Sequence, residues 1–204
     1  MTASARWTLA GLAVVAALIA GLVFSVRDDS PARRTSGPPE LSVQELAGAR
    51  QRADLAPCPA GTGRGPEQLR DVIVECAADG SEVDVARALA GRPVVLNLWA
   101  YWCAPCAQEL PALAEYQRRV SGSVTVVTVH QDVNEAAALS RLAELGVRLP
   151  TLQDPSRRIA AALRVPNVMP ATVVLRSDGS VAKILPQAFT SVDDIAAATE
   201  NALR

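Results

Sequence analysis

Cys103 and Cys106, separated by Ala104 and Pro105, are the residues in this 204-residue chain best placed to do chemistry. They follow the apolar run Val94 to Ala100 (VVLNLWA) and precede a segment of helical pattern from Ala104 to Val120. A cysteine at a helix N-terminus faces unpaired amide hydrogens and the positive end of the helix dipole, which stabilise the thiolate and lower its pKa. Cys103 sits at that end and reads as the attacking nucleophile. Cys106 lies one turn further in on the same side and reads as the resolving thiol, which attacks a mixed disulfide on Cys103 and releases the product. Pro105 needs no amide partner in a first helical turn and stiffens the loop. The alternatives are a zinc site and a purely structural disulfide. Zinc sites ordinarily draw on two close Cys/His pairs, whereas Cys58 and Cys76 are far apart in sequence and the one histidine, His130, falls in a strand-like run. No cofactor beyond the Cys103–Cys106 disulfide is expected, and no metal.

Three further side chains bear on that pair. Glu109 is three residues beyond Cys106 on the same helix; part-buried near the sulfurs it would have a raised pKa and could exchange a proton with the resolving thiol, the alternative being a solvated helix carboxylate. Trp102 is expected to line the active-site surface, and Trp99 to lie in the core. His130 reads as a strand-end residue.

The elements that must hold these groups alternate. Strands are expected at Leu69–Ala77, Val94–Ala100, Val124–His130, Thr151–Gln153 and Ala171–Arg176, with the turn Ser177-Asp-Gly-Ser180 leading to a hairpin partner at 181–185. Helices are expected at 104–120, with a kink at Pro111; at 134–145, with Asn134 at its start and Gly146 past its end; at 155–163, opened by Pro155; and from a Ser191 cap to Leu203. Val83 to Ala90 is ambiguous. The order predicts a single α/β domain with a mixed central sheet flanked by helices.

Ahead of that domain, Trp7 to Val26 is twenty residues without a charge, about the roughly 30 Å hydrocarbon thickness of a bilayer when helical. A cleaved signal peptide, with Val23-Phe24-Ser25 as a tolerable site, is the alternative. The organisation expected is a short tail at 1–6, a transmembrane signal-anchor at 7–26, a Pro/Ser/Gly/Arg-rich linker at 27–54 that includes a short helix capped at Ser42-x-x-Glu45, and the catalytic domain at 55–204. Twenty basic against twenty-one acidic residues, net −1, exclude a polybasic nucleic-acid binder, and a single lysine (Lys183) leaves little for lysine chemistry. Only 3% of residues are aromatic, so Val, Leu, Ile and Ala must build the core.

Cys58 and Cys76 enclose a Gly/Pro-rich loop, Pro59 to Glu75, and read as a structural disulfide; closing a loop of that length is worth about 3 kcal/mol in the chain-entropy model. Two reduced buried cysteines, or a second redox-active pair, are the alternatives. A persistent disulfide belongs outside the cytoplasm, which puts the domain on the extracytoplasmic face although the arginine count around the anchor is ambiguous.

The run Pro93 to Leu113, PVVLNLWAYWCAPCAQELPAL, resembles thioredoxin-like proteins, and among them the membrane-anchored TlpA/ResA-type thiol–disulfide oxidoreductases. Asn97 stands where cytoplasmic thioredoxins have a buried Asp, and Glu109 and Pro111 complete a CxxCxxExP pattern typical of the extracytoplasmic branch. Pro170, in Val168-Met169-Pro170-Ala171-Thr172, matches the family's cis-proline. The resemblance covers roughly Leu69 to Arg204. It implies a thioredoxin fold with the cis-proline loop beside the CxxC, and a Met169 backbone free to pair with an extended substrate segment. It also implies protein thiol or disulfide substrates, for example reduction of the haem-attachment cysteines of apocytochrome c, with electrons from a CcdA-like membrane carrier. An oxidase or isomerase of secreted proteins, or a thioredoxin-fold binding and assembly module with incidental cysteines, are the other functions considered.

Overall fold

The three most apolar β-branched runs form the middle of the sheet. Along the chain of the computed structural model, which describes residues 43–120 and 122–204, the elements are α1 (Val43–Ala53), a 3-10 turn (Glu67–Leu69), β1 (Ile73–Cys76), β2 (Glu82–Asp84), α2 (Val85–Ala88), β3 (Val94–Trp99), α3 (Ala104–Val120), β4 (Thr125–His130), α4 (Glu135–Leu145), β5 (Thr151–Gln153), α5 (Arg158–Ala162), β6 (Ala171–Leu175), β7 (Val181–Leu185) and α6 (Val192–Leu203). The strands make one sheet in the order β2-β1-β5-β4-β3-β6-β7. β3 and β5 run parallel to β4 between them, while β1, β2, β6 and β7 pair antiparallel with their neighbours. Every residue of β3 and of β6 is buried, as strands covered on both faces require.

Alternation along β3 sends side chains to two different layers. Leu96 and Leu98 join Val127, Val129, Val173 and Ile159 on one face. Val95 and Trp99 face the other, where they meet Leu110 and Leu113 of α3, Ile195 of α6, and both Cys103 and Cys106. Asn97 has the same parity as Trp99 and so points into the layer that holds the cysteines.

Local chemistry adjusts the expected boundaries. The run from Leu69 does not extend as one strand: the 3-10 turn and a left-handed Asp71 (φ 64) intervene before β1 begins at Ile73. The ambiguous stretch at 83–90 divides at Asp84, whose carboxylate caps α2 through the Arg87 N–H at 3.1 Å. The helix expected to open at Pro155 starts three residues later, because the Asp154 carboxylate accepts the Arg158 and Ile159 N–H groups at 3.0 and 2.8 Å and so fixes the first turn there. α3 continues through Pro111.

Helix α1, expected within the 27–54 linker, packs on the α/β body. Ala49 and Ala53 bury against Ala77 and Leu139 of α4. Arg50 donates to Glu135 at 3.0 Å and also pairs with Glu75. The apolar run 7–26 and the remainder of the segment up to residue 42 lie outside the described residues. Among the described residues no helix is long and apolar enough to cross a membrane.

Candidate active site

β3 ends at Trp99, a three-residue turn follows, and α3 opens at Ala104, so Cys103 sits at the helix entrance. Cys103 and Cys106 are disulfide-bonded. The backbone N–H of Cys106 points at Cys103 Sγ, 3.3 Å away, and is one of the amides that a helix start leaves without an intrahelical partner. The two sulfurs differ in access: Cys103 is 6% exposed and Cys106 0%. Only the first can be approached by another molecule without opening the helix.

Glu109 lies one turn past Cys106 and is 0% exposed, in contrast to the solvated alternative. Asn97 Nδ2 donates to its Oε1 and also to Thr172 Oγ1 at 3.1 Å, and the Phe189 N–H donates to its Oε2 at 3.0 Å. Two chain segments, β3 and the loop after β7, thus bond to the one carboxyl, and Thr172 of β6 holds the Asn97 amide that reaches it. Burial raises its pKa to about 7, outweighing the Phe189 and Asn97 hydrogen bonds that favour the charged form. A carboxyl balanced near neutrality is able to take up or return a proton near pH 7, and this one lies on the same helix one turn past Cys106.

The Met169–Pro170 peptide bond is cis. Pro170 is buried and leads directly into β6, where Ala171 pairs with Leu98 and Thr172 with Asn97. Met169 is half-buried against the apolar layer that contains both cysteines. Trp102 is 60% exposed, and its indole Nε1 donates to Asp132 Oδ2 at 3.0 Å. Sequence reasoning did not single out Asp132. Its available signal is position: it follows β4 at the same end of the parallel pair as the CxxC turn, where the loops of an α/β sheet converge.

The other cysteines occupy the opposite layer. Cys58 and Cys76 are disulfide-bonded, with Cys76 in the core beside Leu69, Val74 and Leu152, across the sheet from Cys103. The bond ties the segment after α1 to the end of β1. Among the described residues no group of three or more His, Cys, Asp or Glu side chains is arranged to hold a metal ion.

A mixed sheet flanked by helices, a CxxC at a helix start and a cis-proline entering the neighbouring strand together define the thioredoxin-like class. The family model described as Redoxin matches residues 56–199, and the chain belongs to that family. It is similar to the thiol-disulfide oxidoreductase ResA of Bacillus subtilis (strain 168), 31% identical over 103 residues, which is 50% of this chain and 57% of that protein. The chain therefore spans little more than half the length of that relative. A second ResA, from Oceanobacillus iheyensis, is 26% identical over 183 residues, 88% of this chain and 79% of the relative. Among solved structures, a secreted Mycobacterium tuberculosis disulfide oxidoreductase homologous to E. coli DsbE superposes with a TM-score of 0.58 at 26% identity, covering 66% of this chain and 98% of that one.

Proposed function

We propose that the protein is a thiol–disulfide oxidoreductase of the ResA/DsbE type that exchanges disulfides with polypeptide substrates through Cys103. The observation that carries this reading is the Cys103–Cys106 pair at the start of α3, with the Cys106 N–H directed at the Cys103 sulfur and a buried Glu109 one turn behind. In the reduced enzyme the same amide and the helix dipole favour a thiolate at Cys103. That thiolate attacks one sulfur of a substrate disulfide. The substrate S–S bond breaks, a mixed disulfide forms on Cys103, and one substrate thiolate leaves. Cys106 gives its proton to the Glu109 carboxylate and attacks the Cys103 sulfur. The second substrate thiolate leaves and the Cys103–Cys106 bond is restored. The enzyme dithiol gives up two electrons and the substrate gains them; of the two protons that the leaving thiolates take up, one is the Cys106 proton held on Glu109 and the other comes from solvent. The reverse sequence oxidises a substrate dithiol. Met169, Pro170 and Trp102 border the approach to Cys103 and serve as the substrate-binding edge.

The direction we favour is reduction, with the haem-attachment cysteines of apocytochrome c as substrate and a CcdA-like membrane carrier returning two electrons to Cys103 and Cys106. Similarity to two ResA proteins and the TlpA/ResA pattern of Cys103, Cys106, Glu109 and Pro111 support it. We place the domain on the extracytoplasmic face, tethered by the 7–26 segment. The second disulfide, Cys58–Cys76, and the similarity to a secreted oxidoreductase support that location.

The test is capture. A Cys106→Ser variant should accumulate mixed disulfides with polypeptide targets, and Cys103→Ser should accumulate none. Absence of any covalent complex with Cys106→Ser, together with no catalysis of disulfide exchange by the unaltered protein, would refute the reading. The reduction potential decides direction: a value below about −200 mV supports a reductase, and one near −120 mV an oxidant.

A further inference from the structure

The chain's one histidine takes no part in the exchange chemistry, yet it begins a hydrogen-bonded chain that ends beside the CxxC. His130 closes β4, fully buried, with its ring 5.0 Å from that of Trp99 and 6.1 Å from that of Tyr101. Its Nδ1 lies 2.8 Å from Oε1 of Gln153, its cross-strand partner on β5. Gln153 donates its Nε2 hydrogen to the backbone oxygen of Asp132 at 2.7 Å. The amide oxygen is therefore the end that meets the imidazole. Nδ1 must carry the ring hydrogen, and Nε2, which has no partner, keeps the lone pair. Burial holds the imidazole below its ordinary pKa, in the neutral form this arrangement requires.

Asp132 uses both of its carboxylate oxygens. Oδ1 accepts the Asn134 N–H at 2.9 Å, which folds the loop ahead of α4, and Oδ2 accepts the Trp102 indole at 3.0 Å. Val133, on the same loop, is 77% exposed. The rung two positions earlier in the β4–β5 ladder, on the same face, offers a comparison. Thr128 and Thr151 pair at 2.8 Å, and Thr151 closes on the Leu149 carbonyl, so that rung ends on the backbone. The His130–Gln153 rung instead continues to an exposed aromatic ring adjacent in sequence to Cys103.

We infer that His130 and Gln153 are positioning residues: through the Asp132 loop they fix the Trp102 ring beside Cys103, so that an apolar side chain flanking the cysteine of a polypeptide substrate meets a preformed platform of Trp102 and Val133. An exposed tryptophan without such a tie samples several rotamers, and selecting one during binding lowers affinity. A small disulfide that touches only the sulfur gains nothing from the platform. The inference rests on the oxidoreductase reading and adds to it how the substrate is selected.

The experiment compares two substrates of the full-length reduced enzyme, the disulfides of insulin and the small disulfide 5,5′-dithiobis(2-nitrobenzoate). Asp132→Ala and Gln153→Leu should each raise KM for insulin about three- to tenfold, with kcat and the small-disulfide rate held within about twofold. Asp132→Asn keeps an oxygen for the indole but gives up the acceptor of the Asn134 N–H, so its KM should fall between those of the unaltered enzyme and Asp132→Ala. The double variant should be no worse than Asp132→Ala alone, because both act through one path. Fluorescence anisotropy of Trp102, read as the difference from Trp102→Phe, should fall in both single variants. Should Gln153→Leu fail to fold, Gln153→Met is read in its place. Gln153 variants with unchanged insulin KM, multiplicative losses in the double variant, or equal slowing of both substrates overturn the inference while the oxidoreductase reading stands. An unaltered enzyme that reacts with neither substrate overturns both.

Discussion

Replacing Glu109 by glutamine separates what the buried carboxyl does for stability from what it does for chemistry. In the folded protein burial raises its pKa to about 7, against 4.5 for the free group. Between those two values the folded state retains a proton that the unfolded chain has released. Stability contributed by this group is therefore complete below pH 4.5 and falls as the pH rises toward 7. A rise from 4.5 to about 7 corresponds to roughly 3 kcal/mol. Glutamine has no charge to bury and keeps an oxygen for the Phe189 N–H or the Asn97 amide. Above pH 7 the variant should exceed the natural protein by up to about 3 kcal/mol, or roughly 6–12 °C in Tm for a chain of this size. At pH 4.5 the two should agree within about 1 kcal/mol. Guanidinium unfolding followed by tryptophan fluorescence at pH 4.5, 6 and 7.5, with both disulfides intact, measures the difference. If the stability gap between the two proteins does not widen across that range, the burial argument is wrong. The same substitution removes the acceptor for the Cys106 proton, so resolution of a mixed disulfide at pH 7 should slow about 10²-fold or more in rapid-quench experiments. A variant that gains stability while losing exchange is the expected signature of a carboxyl retained for function.

Other perturbations test the framework around the site. Removing the second disulfide with Cys58→Ala and Cys76→Ala together should cost about 3 kcal/mol in chemical denaturation, with the exchange rate at Cys103 retained, since the two disulfides lie on opposite faces of the sheet. Arg50→Ala leaves Glu135, largely buried at 11% side-chain exposure, without its cation. It should destabilise the protein by about 1–3 kcal/mol, and Glu135→Gln in the same chain should recover part of the loss. Gly65→Ala should destabilise by more than about 1 kcal/mol, because Gly65 has φ +60 and an added Cβ would lie 1.7 Å from the Ala86 carbonyl oxygen; a change within a few tenths would refute that contact.

Chain order and pattern made the α/β architecture legible. The apolar runs at 94–99, 125–130 and 171–175 could be satisfied only as strands covered on both faces, and the helical stretches between them had to do the covering. Short polar caps decided where several elements begin, and these depend on which side chain captures which amide. Asp84 and Asp154 set the starts of α2 and α5, and nothing in the spacing of apolar residues announces either. The sequence pattern predicted a helix in the stretch that α1 occupies, Val43–Ala53. Its place on the body was not legible, since it depends on Arg50 reaching Glu135 and Glu75, far along the chain.

By itself the sequence determined the local chemistry: a CxxC at the mouth of a helix, a proline ahead of a strand, and a carboxylate one turn behind the second cysteine. These are relations within a few residues, governed by helix periodicity and by the dipole at a helix end. Only the tertiary structure decided the state of that carboxylate and the tie on Trp102. Asn97 and the Phe189 amide reach Glu109 from two separate segments, with Thr172 of a third holding Asn97, and Asp132 accepts the Trp102 indole while its backbone oxygen accepts from Gln153, which is bonded to His130. The reason is physical: desolvation and hydrogen bonding depend on what lies across space from a group, and the sheet order that brings β3, β4, β5 and β6 side by side is not contained in any short stretch of the chain.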